Sequence, residues 1–359
     1  MNLQRQLLFW LGALVVFILL VWLLKDILLP FIAGTVLAYL LNPLTDRLER
    51  SGMSRGVATM LTVVSFLLFF VIVGIILVPV LGTQLVSFIQ KLPGYVTRLQ
   101  ELVVTAENKE WLHNAIGMSV PDIQKSLGDL VGESARWLGS VVQSLWSGGR
   151  ALISIFSLLV ITPVVAFYVL FDWHAVTTKV DSWLPRRHRT TIRALAAQID
   201  RAIAGFLRGQ ALVCLIMGIY YAVALVAVGL NFGLLIGVST GVLTFIPYVG
   251  SLSGFLIGMI VATVQFFPSW GPIIAVAVVF IIGQFLEGYV LSPKLVGESV
   301  GLHPVWLMFA LFAFGYLLGF VGLLIAIPLA AAIGVLLRFA LARYMESPLY
   351  TDKPRTRAH

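Results

Sequence analysis

Four side chains able to carry a charge stand together in a part of the chain that otherwise has none. From Gln210 to Leu337 the only Asp, Glu, Lys or Arg residues are Glu287, Lys294 and Glu298, and the only histidine is His303. They share one stretch, Q-F-L-E-G-Y-V-L-S-P-K-L-V-G-E-S-V-G-L-H-P over residues 284–304, interrupted by Gly288, Pro293, Gly297, Gly301 and Pro304. An ionisable group at the centre of a bilayer costs roughly 2.5–3.5 kcal/mol on insertion scales, so its presence asks for a function or a partner. Irregular backbone at that depth persists only where protein or a water-filled cavity satisfies it. The stretch therefore reads as a binding or gating site, against the plainer alternative of a polar loop between two spans.

Glu287 leads the candidates. Gln284 lies three residues earlier on the same helical face, which would let a carboxamide and a carboxylate converge on one ligand. A carboxyl held away from water favours its neutral form, which suits a proton carrier. Ionised, it would bind a cation or accept hydrogen bonds from a polyol. The competing reading is an ion pair with Lys294, two turns along if the helix continues through Gly288 and Pro293. Lys294 would pair with Glu287 or Glu298, or hold a negatively charged substrate group. Histidine is the side chain that titrates near neutral pH, yet His303, just before Pro304, also suits a helix cap. One motif is a decoy. Gly237-Val-Ser239-Thr-Gly241 matches the G-x-S-x-G turn of serine hydrolases, but that turn belongs between a strand and a helix, and this one lies in an apolar helical run. No H-E-x-x-H, P-loop or Rossmann glycine pattern occurs, and the reading includes no metal, no cofactor and no enzyme.

The elements that must position these groups follow from composition. Of 359 residues, 60% are hydrophobic and 11% charged, with a mean hydropathy of +1.00. So few charges cannot cover a water-exposed surface. Apolar runs of about 20 residues suit spanning helices, and no alternating strand pattern suggests a barrel. The expectation is an all-α polytopic integral membrane protein of about eight transmembrane helices, with broken or re-entrant helices and an amphipathic helical extracytoplasmic insertion; ten crossings is the alternative. The net charge of +8 is placed beside apolar spans rather than on a basic domain, which points to cytoplasmic loops and lipid contact and away from nucleic acid. The single cysteine, Cys214, excludes an intramolecular disulfide framework.

Along the chain, residues 1–82 hold three spans, the first a retained anchor over 7–24. The second is expected to stop at Asn42-Pro43, before the arginine-rich loop of Arg47, Arg50 and Arg55. Residues 83–149 show three-four apolar periodicity and form the expected extracytoplasmic domain. A fourth span over 150–171 contains Pro163, which should kink it. Residues 172–209 make a basic cytoplasmic loop with an amphipathic helix against lipid. The region 210–345 is the second transmembrane domain and 346–359 a cytoplasmic tail. Within 210–345, Gly233, Gly237 and Gly241 stand four apart and permit close approach of another helix. Pro247 and Gly250 break the run near Phe245-Ile-Pro-Tyr-Val-Gly250. Asn42-Pro43 and this break would expose carbonyls to a cavity, as broken helices do in secondary transporters.

Four ordered motifs carry a resemblance: P-F-I-A-G-T-V-L-A-Y-L-L-N-P-L-T-D-R-L, P-V-V-A-F-Y-V-L-F-D-W, F-I-P-Y-V-G and the 284–304 stretch continued to Val305. Together they resemble the autoinducer-2 exporter (AI-2E) family over nearly the whole chain, with Tyr289 where relatives often carry Asn. The resemblance implies a bacterial inner-membrane transporter and a homo-oligomer, a pentamer among the arrangements. It leaves the solute open, since other members are assigned sodium or lithium/proton antiport. The functional expectation is a secondary transporter exporting a small polar solute through a pathway at Gln284, Glu287, Lys294, Glu298 and His303, with Pro247 and Pro293 as hinges. Cation/proton antiport is the first alternative, and a non-transporting scaffold acting through 83–149 is the second.

Overall fold

A computed structural model describes residues 23–105, 149–247, 249–297 and 301–347, with isolated positions outside these ranges. Among the described residues there is no strand, and seven helices are long and apolar enough to cross a membrane. The first expected span, 7–24, and residues 106–148 of the expected insertion lie almost wholly outside the described residues.

The helices are α1 (Lys25–Arg50), α2 (Arg55–Thr105), α3 (Gly149–Ser182), α4 (Arg189–Ala227), α5 (Gly233–Leu243), α6 (Val249–Phe266), α7 (Trp270–Phe285) and α8 (Pro304–Met345). A π-helical segment, Leu286–Val296, continues α7. The chain divides into two compact units, one of residues 1–66, 157–210 and 292–359, the other of 67–156 and 211–291.

In the first unit α1 runs through Asn42 and Pro43 to Arg50, so the expected stop there is corrected. Pro43 removes the N–H that would bond the Tyr39 carbonyl, and Arg208 Nε donates to that carbonyl instead, at 3.2 Å. With the lost bond replaced, the helix has no reason to end. Gly34 lets α1 close on α3, where an added Cβ would stand 2.7 Å from Val165 Cβ and 2.8 Å from the Thr162 carbonyl. Helix α3 passes Phe171 and ends at Ser182, and α4 begins at Arg189. The expected basic loop is thus mostly two helix ends, clamped where Asp181 takes Arg189 and Arg193. Helix α8 is broken at Gly319, whose φ of 63° suits glycine. There the chain folds back. Gly315 abuts Leu323, Gly334 abuts Leu302, and Arg338 Nη1 donates to the Gly301 carbonyl at 3.0 Å.

In the second unit α2 continues without a break to Thr105, so residues 83–105 of the expected insertion are continuous with the helix of the third span. Helices α4 to α7 then pack as successive antiparallel neighbours. Gly229, with φ of 79°, ends α4 in a Schellman arrangement, Leu230 N–H donating to the Leu225 carbonyl at 3.0 Å. Gly233, Gly237 and Gly241 set α5 directly on the α4 backbone, at Leu225, Ala222 and Gly218. At 11 residues, about 16 Å long, α5 covers roughly half of a bilayer core. The chain turns at 244–248 around Pro247, and α6 returns along α5, with Gly250 against Thr244 and Gly254 against the Thr240 side chain.

Candidate functional site

Glu287 opens the π-helical segment at the end of α7, and it is the one buried residue there, 8% exposed. One turn earlier Gly283 leaves room for the ring of Tyr221 from α4; a Cβ at 283 would lie 2.6 Å from Tyr221 Cε1. Tyr221 is fully buried and lies against Phe280 with ring centroids 5.0 Å apart. Its neighbour Tyr220 donates to the Val279 carbonyl at 2.9 Å, which ties α4 to α7 beside the carboxyl. Glu287 thus follows the Tyr221 contact by one turn. Among the described residues neither Glu287 Oε2 nor the Tyr221 hydroxyl has a hydrogen-bond partner. A buried polar atom left unpaired costs about 1–3 kcal/mol, more if charged, so an acceptor and a donor stand here at a cost to stability.

The other expected site residues are placed differently. Gln284 is exposed, as are Lys294 and His303, and Glu298 lies outside the described residues. Among the described residues Lys294 forms no ion pair. The helical register accounts for this. Seven residues of α-helix at about 100° each would return Lys294 to the face of Glu287. The i→i+5 register turns about 80° per residue and carries Lys294 to the opposite side. Gly288 and Pro293 lie within this segment and do not break it. His303 caps α8, its Nδ1 accepting from the Val305 N–H at 3.3 Å with Pro304 at the first helical position. Asn42 is engaged on both ends, its Oδ1 accepting from Arg55 and its Nδ2 donating to Asp46, each at 3.0 Å. Pro163 is buried within α3. Tyr289, 76% exposed, stacks on Phe285 away from the carboxyl.

Sequence reasoning missed Tyr221. Its signal was there: a tyrosine hydroxyl in a run of apolar residues needs a reason just as a carboxylate does. The Ser239 of the G-x-S-x-G match sits in α5, inside a helix, so the hydrolase turn is absent. A separate cavity of about 210 Å³ lies between α2 and the α5–α6 pair, walled by Phe88, Ile236, Leu243 and Ile257 with Ser239 and Ser253 at its edge. It is nearly all apolar and does not include Glu287.

The pattern shared by proteins described as AI-2E family transporters matches residues 11–342 of this chain. The chain belongs to the AI-2E family. Similar proteins include "Putative transport protein YrrI" of Bacillus subtilis (strain 168), 30% identical over 323 residues that cover 88% of this chain and 87% of that one. "Putative permease PerM" of Escherichia coli (strain K12) is 28% identical over 322 residues, 86% of each chain. "Putative transport protein YueF" of Bacillus subtilis (strain 168) is 25% identical over 311 residues, 85% of this chain and 81% of that one. The AI-2E chain is therefore a multi-pass membrane protein of a transport family, and the apolar helices around Glu287 are what such a protein needs.

Proposed function

We propose that this protein is a secondary transporter exporting a small polar solute, of the autoinducer-2 kind that the family is named for, across the bacterial cytoplasmic membrane. The observation that supports it is that Glu287 Oε2 and the Tyr221 hydroxyl, a buried acceptor and a buried donor, have no partner among the described residues, in a run from Gln210 to Phe285 that carries no Asp, Glu, Lys or Arg. Glu287 takes hydrogen bonds from solute hydroxyls and Tyr221 gives one. The turn at Pro247 and Gly250, and the π-helical segment with Gly288 and Pro293, are the places where the helices can change shape. Arginines at 47, 50 and 55 and again at 186, 187, 189 and 193 favour a cytoplasmic position for those turns and for both termini.

Solute flux in proteoliposomes tests this. A hydrogen bond to a charged group is worth about 1.5–3 kcal/mol, so Glu287→Gln is expected to lower flux roughly tenfold or more. An unchanged rate with an unchanged pH dependence would remove Glu287 from the pathway. Proton movement driven by a sodium gradient in the same vesicles would assign the carboxyl to cation exchange instead.

A further inference from the structure

In the first unit three helices pass from apolar to polar sequence at one place: α1 at Asn42, α3 at Asp172-Trp173 and α4 at Arg208-Gly-Gln210. An open cavity of about 50 Å³ lies there, lined by Tyr39, Asn42, Trp173, Asp200 and Arg208 over buried Leu170. Such a change from apolar to polar on neighbouring helices marks headgroup depth, where amphipathic aromatics gather.

Tyr39 organises the charges. Its carbonyl, released by Pro43, takes Arg208 Nε at 3.2 Å, and its hydroxyl donates to Asp200 Oδ1 at 3.0 Å. A guanidinium and a carboxylate are thereby held roughly the length of a tyrosine side chain apart. Among the described residues neither Nη group of Arg208 nor Oδ2 of Asp200 has a protein partner. The Trp173 ring closes one wall, edge-on to Tyr39 with centroids 5.6 Å apart.

One cation, one anion and an aromatic wall at headgroup depth match a zwitterion with separated charges. We propose that this pocket binds the headgroup of a phosphoethanolamine lipid, its phosphate on Arg208 and its ammonium at Asp200 beside Trp173. The planar fork of arginine suits phosphate oxygens, and an ammonium gains from both a carboxylate and a ring face. A water needs about 10–15 Å³ of such space, so the cavity admits a handful of heavy atoms and leaves the acyl chains outside. An anionic glycerol headgroup brings no cation to Asp200, and a choline headgroup cannot donate a hydrogen bond to it.

Native mass spectrometry of the full chain in detergent, with phosphatidylethanolamine, phosphatidylglycerol and phosphatidylcholine of identical acyl chains, tests the site. The ethanolamine lipid is expected to bind about fivefold more tightly than the glycerol lipid, as for one partly exposed charge pair. Asp200→Asn keeps an acceptor for the Tyr39 hydroxyl, and its thermal midpoint checks that the fold persists. In that variant the ratio is expected to fall to about one, and Arg208→Gln to weaken all three lipids. No preference in the wild type, or a preference retained in Asp200→Asn, would overturn the proposal. Displacement of the lipid by an equal concentration of soluble phosphoethanolamine would also overturn it, by assigning the pocket to a free solute.

Discussion

Gly218 of α4 and Gly241 of α5 face each other, yet the structure gives them opposite tolerances to a methyl group. At 218 an added Cβ meets only the Cα of Gly241, at 3.6 Å, an ordinary contact. At 241 it would run into the Cα and N of Gly218 and stand 3.0 Å from the Cys214 carbonyl oxygen. Each Gly→Ala change gains about 0.8–1 kcal/mol of helix propensity. Gly218→Ala keeps that gain and is expected to be stabilising by up to about 1 kcal/mol. Gly241→Ala must push two backbones apart, and overpacking costs about 1–3 kcal/mol, so its net effect is about 0–2 kcal/mol destabilising. The two variants should differ by about 1–3 kcal/mol. The upper part of that range is favoured, because the same helix pair is in backbone contact again at Gly237 and Gly233. Thermal unfolding in one detergent at one scan rate reads the order, the fixed rate being needed because such unfolding is often irreversible. At about 2–4 °C per kcal/mol or somewhat less for a chain of this size, a gap of a few degrees is expected. Equal shifts, or a lower midpoint for Gly218→Ala than for Gly241→Ala, would refute the packing argument.

Replacing Glu287 by Met should leave the midpoint unchanged or raise it, because a buried group with an unpaired oxygen weakens the fold, while solute flux is lost; a fall of several degrees would show the carboxyl to be structural. Tyr221→Phe removes a hydroxyl with no partner among the described residues and should keep stability within about 0.5 kcal/mol while slowing transport, with unchanged transport counting against its role. Arg55, 14% exposed, holds Asp46 and Glu49 at 2.6 and 2.8 Å and donates to the Leu170 carbonyl. Arg55→Ala is expected to cost about 3–5 kcal/mol at most, discounted because its acidic partners are a third or more exposed. Arg55→Lys should recover only part of this, since lysine lacks the fork, and full recovery in chemical denaturation would argue that charge alone suffices.

The helical, membrane-spanning character of the chain was legible because apolar length and charge position are local properties, and each run declares itself without its neighbours. The polar group at 284–304 was legible for the same reason. What that stretch does with its charges was not. Glu287 and Lys294 are seven residues apart, a spacing that means one face in an α-helix and opposite faces in the i→i+5 register, and nothing local announces which register follows Phe285. Pro43 makes the point more sharply. By local rules it ends a helix, and it fails to do so because Arg208, 169 positions from Tyr39, supplies the missing donor. Gly319 shows the converse: its place between two apolar runs was visible, but the fold-back depends on Leu323 and Leu302 finding Gly315 and Gly334 across the hairpin. In an apolar solvent every released carbonyl must find a donor within the protein. A proline or glycine in such a chain therefore specifies only that a partner is required, and the distant residue that answers decides whether the position becomes a stop, a fold-back or the wall of a binding pocket.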